Sequence, residues 1–301
     1  MNISSNKKQL SLTVGITTCY GDISILETVK SVRESKGVDK FDFIIIADRV
    51  PISHEIKKGL KKHGVHLIEN KTEAGQVEKQ RQIRSLAKTD IVIFTQDDVL
   101  LDPNTLAIVL KGFAKNPKTT MISIPYKSVM STNFFENIVN VGTNIVNRAA
   151  KNWNNGDNYL ASIGRFMAFR ANMLKRFRMP PVAISDNYYY FENKKMEGKF
   201  EYIKDALVYF RNPQNMAEHM RKSSRFQHSQ KEMEKYFGNL SKEYKKPKTT
   251  LIRAAVEEFV ENPFYTTLYF FVFAYTRILR MKPKKVLNPI WEVDISTKKI
   301  S

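Results

Sequence analysis

The chain has 301 residues, 42% of them hydrophobic and 26% charged, which excludes a disordered composition and allows one large α/β domain with or without an appendage. Its single cysteine, Cys19, excludes an internal disulfide and is typical of a reducing, cytosolic setting. The net charge is +19, and residues 151–301 carry most of it, with 28 Lys/Arg against 15 Asp/Glu. This basic half predicts an anionic partner: a nucleotide phosphate, a nucleic acid or an acidic membrane surface.

The first hundred residues alternate between short apolar strands and amphipathic helices. Strands are predicted at residues 12–17, 41–47, 65–69 and 91–95, with helices between them. This order implies a parallel, doubly wound sheet, in which ligands bind beyond the carboxyl ends of the strands. Those ends carry Thr17, Asp48 and the run Gln96-Asp97-Asp98, so we expect these side chains to share one crevice.

The pattern after residue 100 is less regular. Asp102 is expected to cap a helix that begins at Pro103. The segment FEYIKDALVYF, residues 200–210, alternates like one strand, and the Lys-rich residues 228–248 are expected to form a connector.

An aromatic helix is predicted at residues 264–280. It is interrupted by Arg277 and is at the short limit for a membrane span. The basic residues around it and its many Tyr and Phe side chains favour a helix that lies on an anionic membrane surface. A core helix that covers the sheet and a true span are the alternatives. The polar sequence after Lys7 and Lys8 predicts no secretory leader, so the expected location is cytoplasmic, peripheral at the inner face of the cell membrane.

The adjacent carboxylates Asp97 and Asp98 point to a metal ion. Two neighbouring carboxylates at a strand end repel each other unless a cation or hydrogen-bond donors offset the repulsion. Mg²⁺ and Mn²⁺ prefer such oxygen ligands and often take one or two carboxylates with phosphate oxygens completing the shell. Helix capping explains Asp102 but not this pair.

The ordered series TVGITTCYG, FIIIAD, EAGQVEKQRQIRSLAKTD and VIFTQDDVLLDPNTL resembles the nucleotide-binding half of family 2 glycosyltransferases. The resemblance continues through SIGRFMAFRANML, ISDNYYYFEN and RKSSRFQ, and it covers roughly residues 10–230. It implies a GT-A type fold: a doubly wound, mostly parallel sheet flanked by helices, with a C-terminal helical appendage. Residues 1–230 form the expected domain, with the nucleotide-sugar half at about 10–110 and the acceptor half at about 111–230; residues 231–301 form the membrane-associating region.

The resemblance also implies site residues. The donor nucleotide, a UDP-sugar by preference, is expected to contact Thr17, Tyr20, Asp48, Lys79, Arg81 and Asp97. The expected metal, Mn²⁺ or Mg²⁺, is bound by Asp98 first and Asp97 second, since Gln96 replaces the first acidic residue of the family's D-x-D motif. Asp186 matches the catalytic base. The acceptor or diphosphate side comprises Gly164, Arg165, Arg221 and Arg225, with Phe226 where the family usually has tryptophan.

Asp186 also suits the chemistry by itself. An inverting transfer needs one carboxylate to deprotonate the acceptor hydroxyl as it attacks the anomeric carbon. The alternative is that Asp186 caps the helix that holds Tyr188.

The leading hypothesis is therefore an enzyme that moves a sugar from a nucleotide-sugar to a glycan or lipid-linked hydroxyl. A basic nucleic-acid-binding protein is the second class, although no RNA-binding or helix-turn-helix signature appears and no nucleic-acid partner is expected. An inactive relative that acts as a membrane scaffold is the third.

Overall fold

The computed structural model describes residues 10–21, 24–279, 288–290 and 294–300. Several basic residues named in the sequence predictions, or flanking the apolar helix, lie outside these ranges: Lys7, Lys8, Arg280, Lys282, Lys284 and Lys285.

The described residues contain two sheets surrounded by helices. The strands are β1 Leu12–Thr18, β2 Asp42–Ala47, β3 His66–Glu69, β4 Ile91–Gln96, β5 Val99–Leu101, β6 Thr119–Ser123, β7 Tyr126–Ser128, β8 Phe166–Arg170, β9 Lys199–Tyr202 and β10 Val208–Phe210. The helices are α1 Ser24–Arg33, α2 His54–Lys62, α3 Gly75–Leu86, α4 Thr105–Lys115, α5 Phe134–Asn152, α6 Ala171–Arg176, α7 Ser185–Lys195, α8 Met216–Phe237, α9 Lys248–Glu261 and α10 Pro263–Ile278.

The larger sheet has seven strands in the order β3-β2-β1-β4-β8-β6-β9. Its first four strands are parallel, as predicted for a doubly wound α/β fold. Strand β8 is antiparallel to both β4 and β6, so the sheet is mostly, but not entirely, parallel. A second sheet of three strands has the order β5-β10-β7.

Alternate residues of the central strands face opposite layers of helices. In β2, Phe43 and Ile45 pack in one apolar core, and Ile44 and Ile46 pack in the other. A strand buried on both faces needs a continuous apolar run, which explains FIIIA in the sequence. Gly15 of β1 brings α3 close to the sheet, because a Cβ atom there would lie 2.5 Å from Ile83 Cγ2.

Three predictions about elements were wrong. Helix α4 begins at Thr105 rather than Pro103, and the Asp102 carboxylate accepts the Asn104 N–H (3.0 Å) in the preceding turn. Residues 200–210 form two strands in different sheets, because a turn separates β9 from β10. The expected connector at residues 228–248 is helical in its first part, because α8 continues to Phe237. The same helix passes through residue 230, where the first domain was expected to end.

Helices α9 and α10 pack against α5. Glu258 of α9 is fully buried. Its carboxylate accepts a hydrogen bond from Asn144 Nδ2 (2.8 Å) and forms an ion pair with Arg148 (3.3 Å). Gly142 of α5 admits the ring of Tyr269, which a Cβ atom would meet at 2.4 Å. Helix α10 therefore packs on α5, and Thr266 and Thr276 are its buried residues. Within the described part of the chain, none of the helices has the length and hydropathy needed to cross a bilayer.

Candidate active site

One cavity opens at the carboxyl ends of β1 and β4, where the sequence predicted a crevice. Its volume is about 170 Å³. Most of the predicted site residues line it: Thr17, Lys79, Asp97, Asp98, Gly164, Arg165, Asp186 and Arg225.

Asp97 and Asp98 form the two-residue turn between β4 and β5. The hydroxyl of Thr28 in α1 fixes this turn by donating to the Asp97 carbonyl (3.0 Å) and accepting the Val99 N–H (3.3 Å). The Asp97 carboxylate is buried and accepts a hydrogen bond from Thr18 Oγ1 (2.5 Å). The two carboxylates are thus held side by side with oxygen atoms toward the cavity.

Asp48 has internal partners and lies behind the cavity lining. Its carboxylate accepts the N–H groups of Ala74 (2.9 Å) and Gly75 (3.2 Å) at the start of α3, and it pairs with Lys79 Nζ (2.6 Å). Lys79 also donates to the Thr18 carbonyl (2.7 Å) and lines the cavity. Asp48 therefore positions Lys79 and the amino terminus of α3, and its expected contact with the nucleobase stays a prediction.

Asp186 lies in the first turn of α7 and faces the same cavity. Its Oδ2 accepts the Gly164 N–H (2.9 Å) and its Oδ1 accepts the Asn187 N–H (2.9 Å). Burial raises the pKa of Asp186 above its ordinary value, although these two hydrogen bonds and the charge of Arg165 oppose the rise. The position before this helix, the N-cap, is Ile184, so the interpretation of Asp186 as the helix cap is wrong.

Cationic side chains form the wall beside Asp186. The guanidinium of Arg165 stacks over the Phe210 ring (3.4 Å to the centroid), and Lys222 Nζ lies 5.2 Å from the same centroid. Burial, followed by the charge of Arg165, lowers the pKa of Lys222. Arg225, one turn further along α8, completes this wall. A cavity with acidic residues on one side and basic residues on the other can hold a cation and an anion together.

Besides Asp48, three predicted residues lie outside the cavity lining. Tyr20 is an exposed residue just beyond β1, and Arg81 pairs with Glu78 (3.0 Å) on the outer face of α3. Arg221 lies behind Arg225 and pairs with Asp294 (3.0 Å).

The sequence interpretation missed three residues of the site. Lys222 lies between two predicted arginines, and helical spacing places it near Arg225 and Phe226, so this residue could have been found. Lys298 and Asp294 come from the end of the chain. Lys298 pairs with both Asp97 and Asp98 (3.0 Å to Asp98 Oδ2). No local signal in ISTKKI indicates a contact two hundred residues away.

Comparison with known proteins agrees with this geometry. Residues 13–178 match the model of glycosyl transferase family 2. This match covers more than half of the chain, and the chain therefore belongs to glycosyl transferase family 2, a family of transferases. No curated protein matches the sequence.

Solved structures of glycosyltransferases have the same fold at low sequence identity. The mannosyltransferase PcManGT from Pyrobaculum calidifontis, in complex with GDP-Man and Mn²⁺, is 16% identical with a TM-score of 0.57, over 91% of this chain and 77% of that one. Glucosyl-3-phosphoglycerate synthase from Mycobacterium tuberculosis, in complex with Mn²⁺, UDP and glucosyl-3-phosphoglycerate, is 12% identical with a TM-score of 0.54, over 77% and 82%. S. aureus TarS is 13% identical with a TM-score of 0.51, over 89% of this chain and 53% of TarS. The predicted GT-A type fold is confirmed.

Proposed function

We propose that the protein transfers a sugar from a nucleoside-diphosphate sugar, a UDP-sugar by preference, to a hydroxyl group of a glycan or lipid-linked acceptor with inversion at the anomeric carbon. One observation carries the proposal: the Asp97-Asp98 pair and the Asp186 carboxylate open into the same cavity. Family membership supports the reaction class, and the relatives bound to GDP-Man or UDP support the donor class.

The acidic pair fits a divalent cation, Mn²⁺ or Mg²⁺. Its ligands are carboxylate oxygens, and the Lys298 ammonium that lies against both carboxylates supports a cation at this position. Among the described residues no group of three or more His, Cys, Asp or Glu side chains could hold a metal ion by itself, so Asp97 and Asp98 would hold the ion together with diphosphate oxygens and water. A bound ion of this kind stabilises the charge on the leaving diphosphate as a Lewis acid.

Asp186 is the proposed base. Its carboxylate takes the proton of the acceptor hydroxyl while that oxygen attacks the anomeric carbon. The bond between this carbon and the diphosphate breaks on the opposite side of the ring, which inverts the configuration. The N–H groups of Gly164 and Asn187 hold the carboxylate in place, so the base keeps its orientation before the acceptor arrives.

The basic wall is the proposed acceptor and diphosphate side. Arg165, Lys222 and Arg225 line the cavity close to Asp186. Buried cations favour an anionic ligand, so the wall suits a phosphate group on the acceptor or the leaving diphosphate.

An apolar surface on α9 and α10 is the proposed membrane contact, at the cytoplasmic face of an anionic membrane. We call it the aromatic face, and its exposed members are Ile252, Val256, Phe259, Val260, Phe264, Phe270, Phe271, Phe273, Tyr275, Ile278 and Leu279. Monomeric soluble proteins rarely expose so many large apolar side chains together. The excess of Lys and Arg in residues 151–301 complements acidic lipid head groups.

The variant Asp186→Asn tests the proposed reaction. It should lower kcat by about 10²- to 10⁴-fold, because the amide cannot accept the proton, while UDP or GDP with Mn²⁺ binds as before. Nucleoside diphosphate release and calorimetric binding measure the two effects. Asp205→Asn, at an exposed carboxylate between β9 and β10, is the matched control and should keep full activity. Normal turnover by Asp186→Asn would reject the base, and lack of turnover by the wild type with every donor would favour the scaffold alternative.

The pH profile gives a second measurement of the same residue. The base acts when it is unprotonated, and burial raises its pKa. Activity should therefore fall, as the pH decreases, at a higher pH than an exposed carboxyl group would give. A profile that stays flat down to the ordinary range of aspartate would contradict this assignment.

A further inference from the structure

Residues 294–300 contribute Asp294, Thr297 and Lys298 to the lining of the candidate active site. We call this stretch the C-terminal segment. It is held by buried groups of the main domain: the Arg211 side chain donates to the carbonyls of Lys299 and Ile300, and the Ser296 hydroxyl bonds Glu218. The Ile300 side chain is buried. The segment is therefore docked at defined positions.

Lys298 places a cation between the two carboxylates of the acidic pair. Its ammonium group pairs with Asp97 and lies 3.0 Å from Asp98 Oδ2, and the residue is 8% exposed. Lys298 thus places its ammonium group at the position where a divalent ion would bind.

Asp294 places an anion against two arginines of α8, Arg225 of the basic wall and Arg221 behind it. Its Oδ1 accepts hydrogen bonds from Arg221 Nε (3.2 Å) and Nη2 (3.0 Å), and Arg225 lies 3.8 Å from Oδ2. The carboxylate is buried. In one short segment, a positive charge occupies the acidic side of the cavity and a negative charge occupies the basic side. The segment thereby repeats the charge order of a metal ion followed by a phosphate group.

We propose that the C-terminal segment is an internal competitor of the metal-bound donor, with Lys298 in the place of the divalent ion and Asp294 in the place of a donor phosphate. This inference rests on the proposed function. An ammonium and a divalent ion cannot share the space between two carboxylates, because like charges at contact distance repel each other. The cavity beside the segment has a volume of about 170 Å³, below the roughly 300–1,000 Å³ of small-molecule sites.

Competition of this kind multiplies the intrinsic affinity for the donor by the fraction of molecules in which the segment is displaced, so a small displaced fraction gives a weak apparent affinity. Donor and metal together neutralise both walls, so they can replace both charges of the segment at once. The apo protein keeps its acidic pair and its arginines neutralised until the donor arrives.

The metal alone is the first probe, measured by electron paramagnetic resonance of free Mn²⁺. Lys298→Ala should tighten Mn²⁺ binding by about tenfold or more, as expected for a segment that is docked about 90% of the time. Asp294→Asn should also tighten it, although this change removes a negative charge and by simple electrostatics would weaken it. Lys299→Ala, at the exposed neighbouring lysine, is the matched control and should bind like the wild type. Unchanged or weaker binding by Asp294→Asn overturns the proposal.

Hydrogen exchange of the wild type is the second measurement and needs no variant. Amides of residues 294–300 should lose protection when UDP or GDP is added with Mn²⁺ at saturating concentration. Increased protection would mean that the segment closes over the donor, and it would overturn the proposal. Failure of every nucleotide to bind to both the wild type and Lys298→Ala would instead reject the proposed function. Equal binding to both proteins would reject the competitor alone.

Discussion

Strand β2 and helix α10 are both rich in apolar residues, yet they have opposite surroundings. In β2, residues 43–47 are all buried, because β1 and β3 pair with its two edges and helices cover both faces. In α10, Thr266 and Thr276 are the buried residues, while Phe271 is 71% and Ile278 79% exposed. The hydropathy of a segment therefore indicates that other groups will cover it, and the number of neighbouring elements determines whether the same chain provides that cover.

Gly15→Ala should destabilise the protein by about 1–3 kcal/mol, the usual cost of adding an atom to a tightly packed core. The new Cβ atom would lie 2.5 Å from Ile83 Cγ2 and 2.9 Å from Ile83 Cδ1, so α3 or the Ile83 side chain must move. Chemical unfolding measures the change.

The double variant Gly15→Ala/Ile83→Ala is the control for that packing argument. Once Ile83 is truncated, the added methyl group meets open space. It should then lower the free energy of unfolding much less than it does in the wild-type background. If the two changes are additive, the close approach of α3 to β1 is not the cause.

Gly142→Ala should leave global stability within about 1 kcal/mol of the wild type, because the gain in helix propensity of about 1 kcal/mol offsets the lost packing. The Cβ atom would lie 2.4 Å from the Tyr269 ring, so the ring must leave its position on α5. Amide exchange in α10 should accelerate while exchange in β1 stays slow. In a Tyr269→Ala background the same change should not alter exchange in α10, and a further acceleration there would contradict the role given to this ring.

Phe271→Glu should change stability by less than about 0.5 kcal/mol, because the side chain is exposed. It should nevertheless weaken binding to vesicles that contain phosphatidylglycerol, since it places a negative charge in the aromatic face. Cosedimentation with phosphatidylglycerol and phosphatidylcholine vesicles measures this. Leu86→Glu makes the same change of charge at an exposed position of α3 and should bind as the wild type does. Equal binding by both variants would place the membrane contact elsewhere.

The parallel half of the fold could be predicted from the sequence because its signals are local. Apolar runs bounded by turn residues defined β1, β2, β3 and β4 to within a residue or two. The reversed strand β8 and the division of residues 200–210 between two sheets could not be predicted, because strand direction and sheet membership depend on partners far away in the chain.

The candidate site divides in the same way. Asp97, Asp98 and Asp186 were predicted and line one cavity. The sequence did not show that the Asp48 carboxylate accepts hydrogen bonds from Lys79 and from the first amides of α3. The resemblance to the family implied a donor role for Arg81 as well as for Lys79. Helical geometry directs neighbouring side chains to different faces, and Arg81 lies outside the cavity.

The sequence by itself determined which residues form the central strands and which carboxylates stand at their ends, because a strand buried on both faces requires a continuous apolar run and parallel strands end at one edge. The tertiary structure alone decided what lies against those carboxylates. Lys298 and Asp97 are separated by 201 positions, and the ion pair between them forms because the chain returns to its own strand ends. Charge attraction acts through space, so no periodicity or spacing along the chain records it.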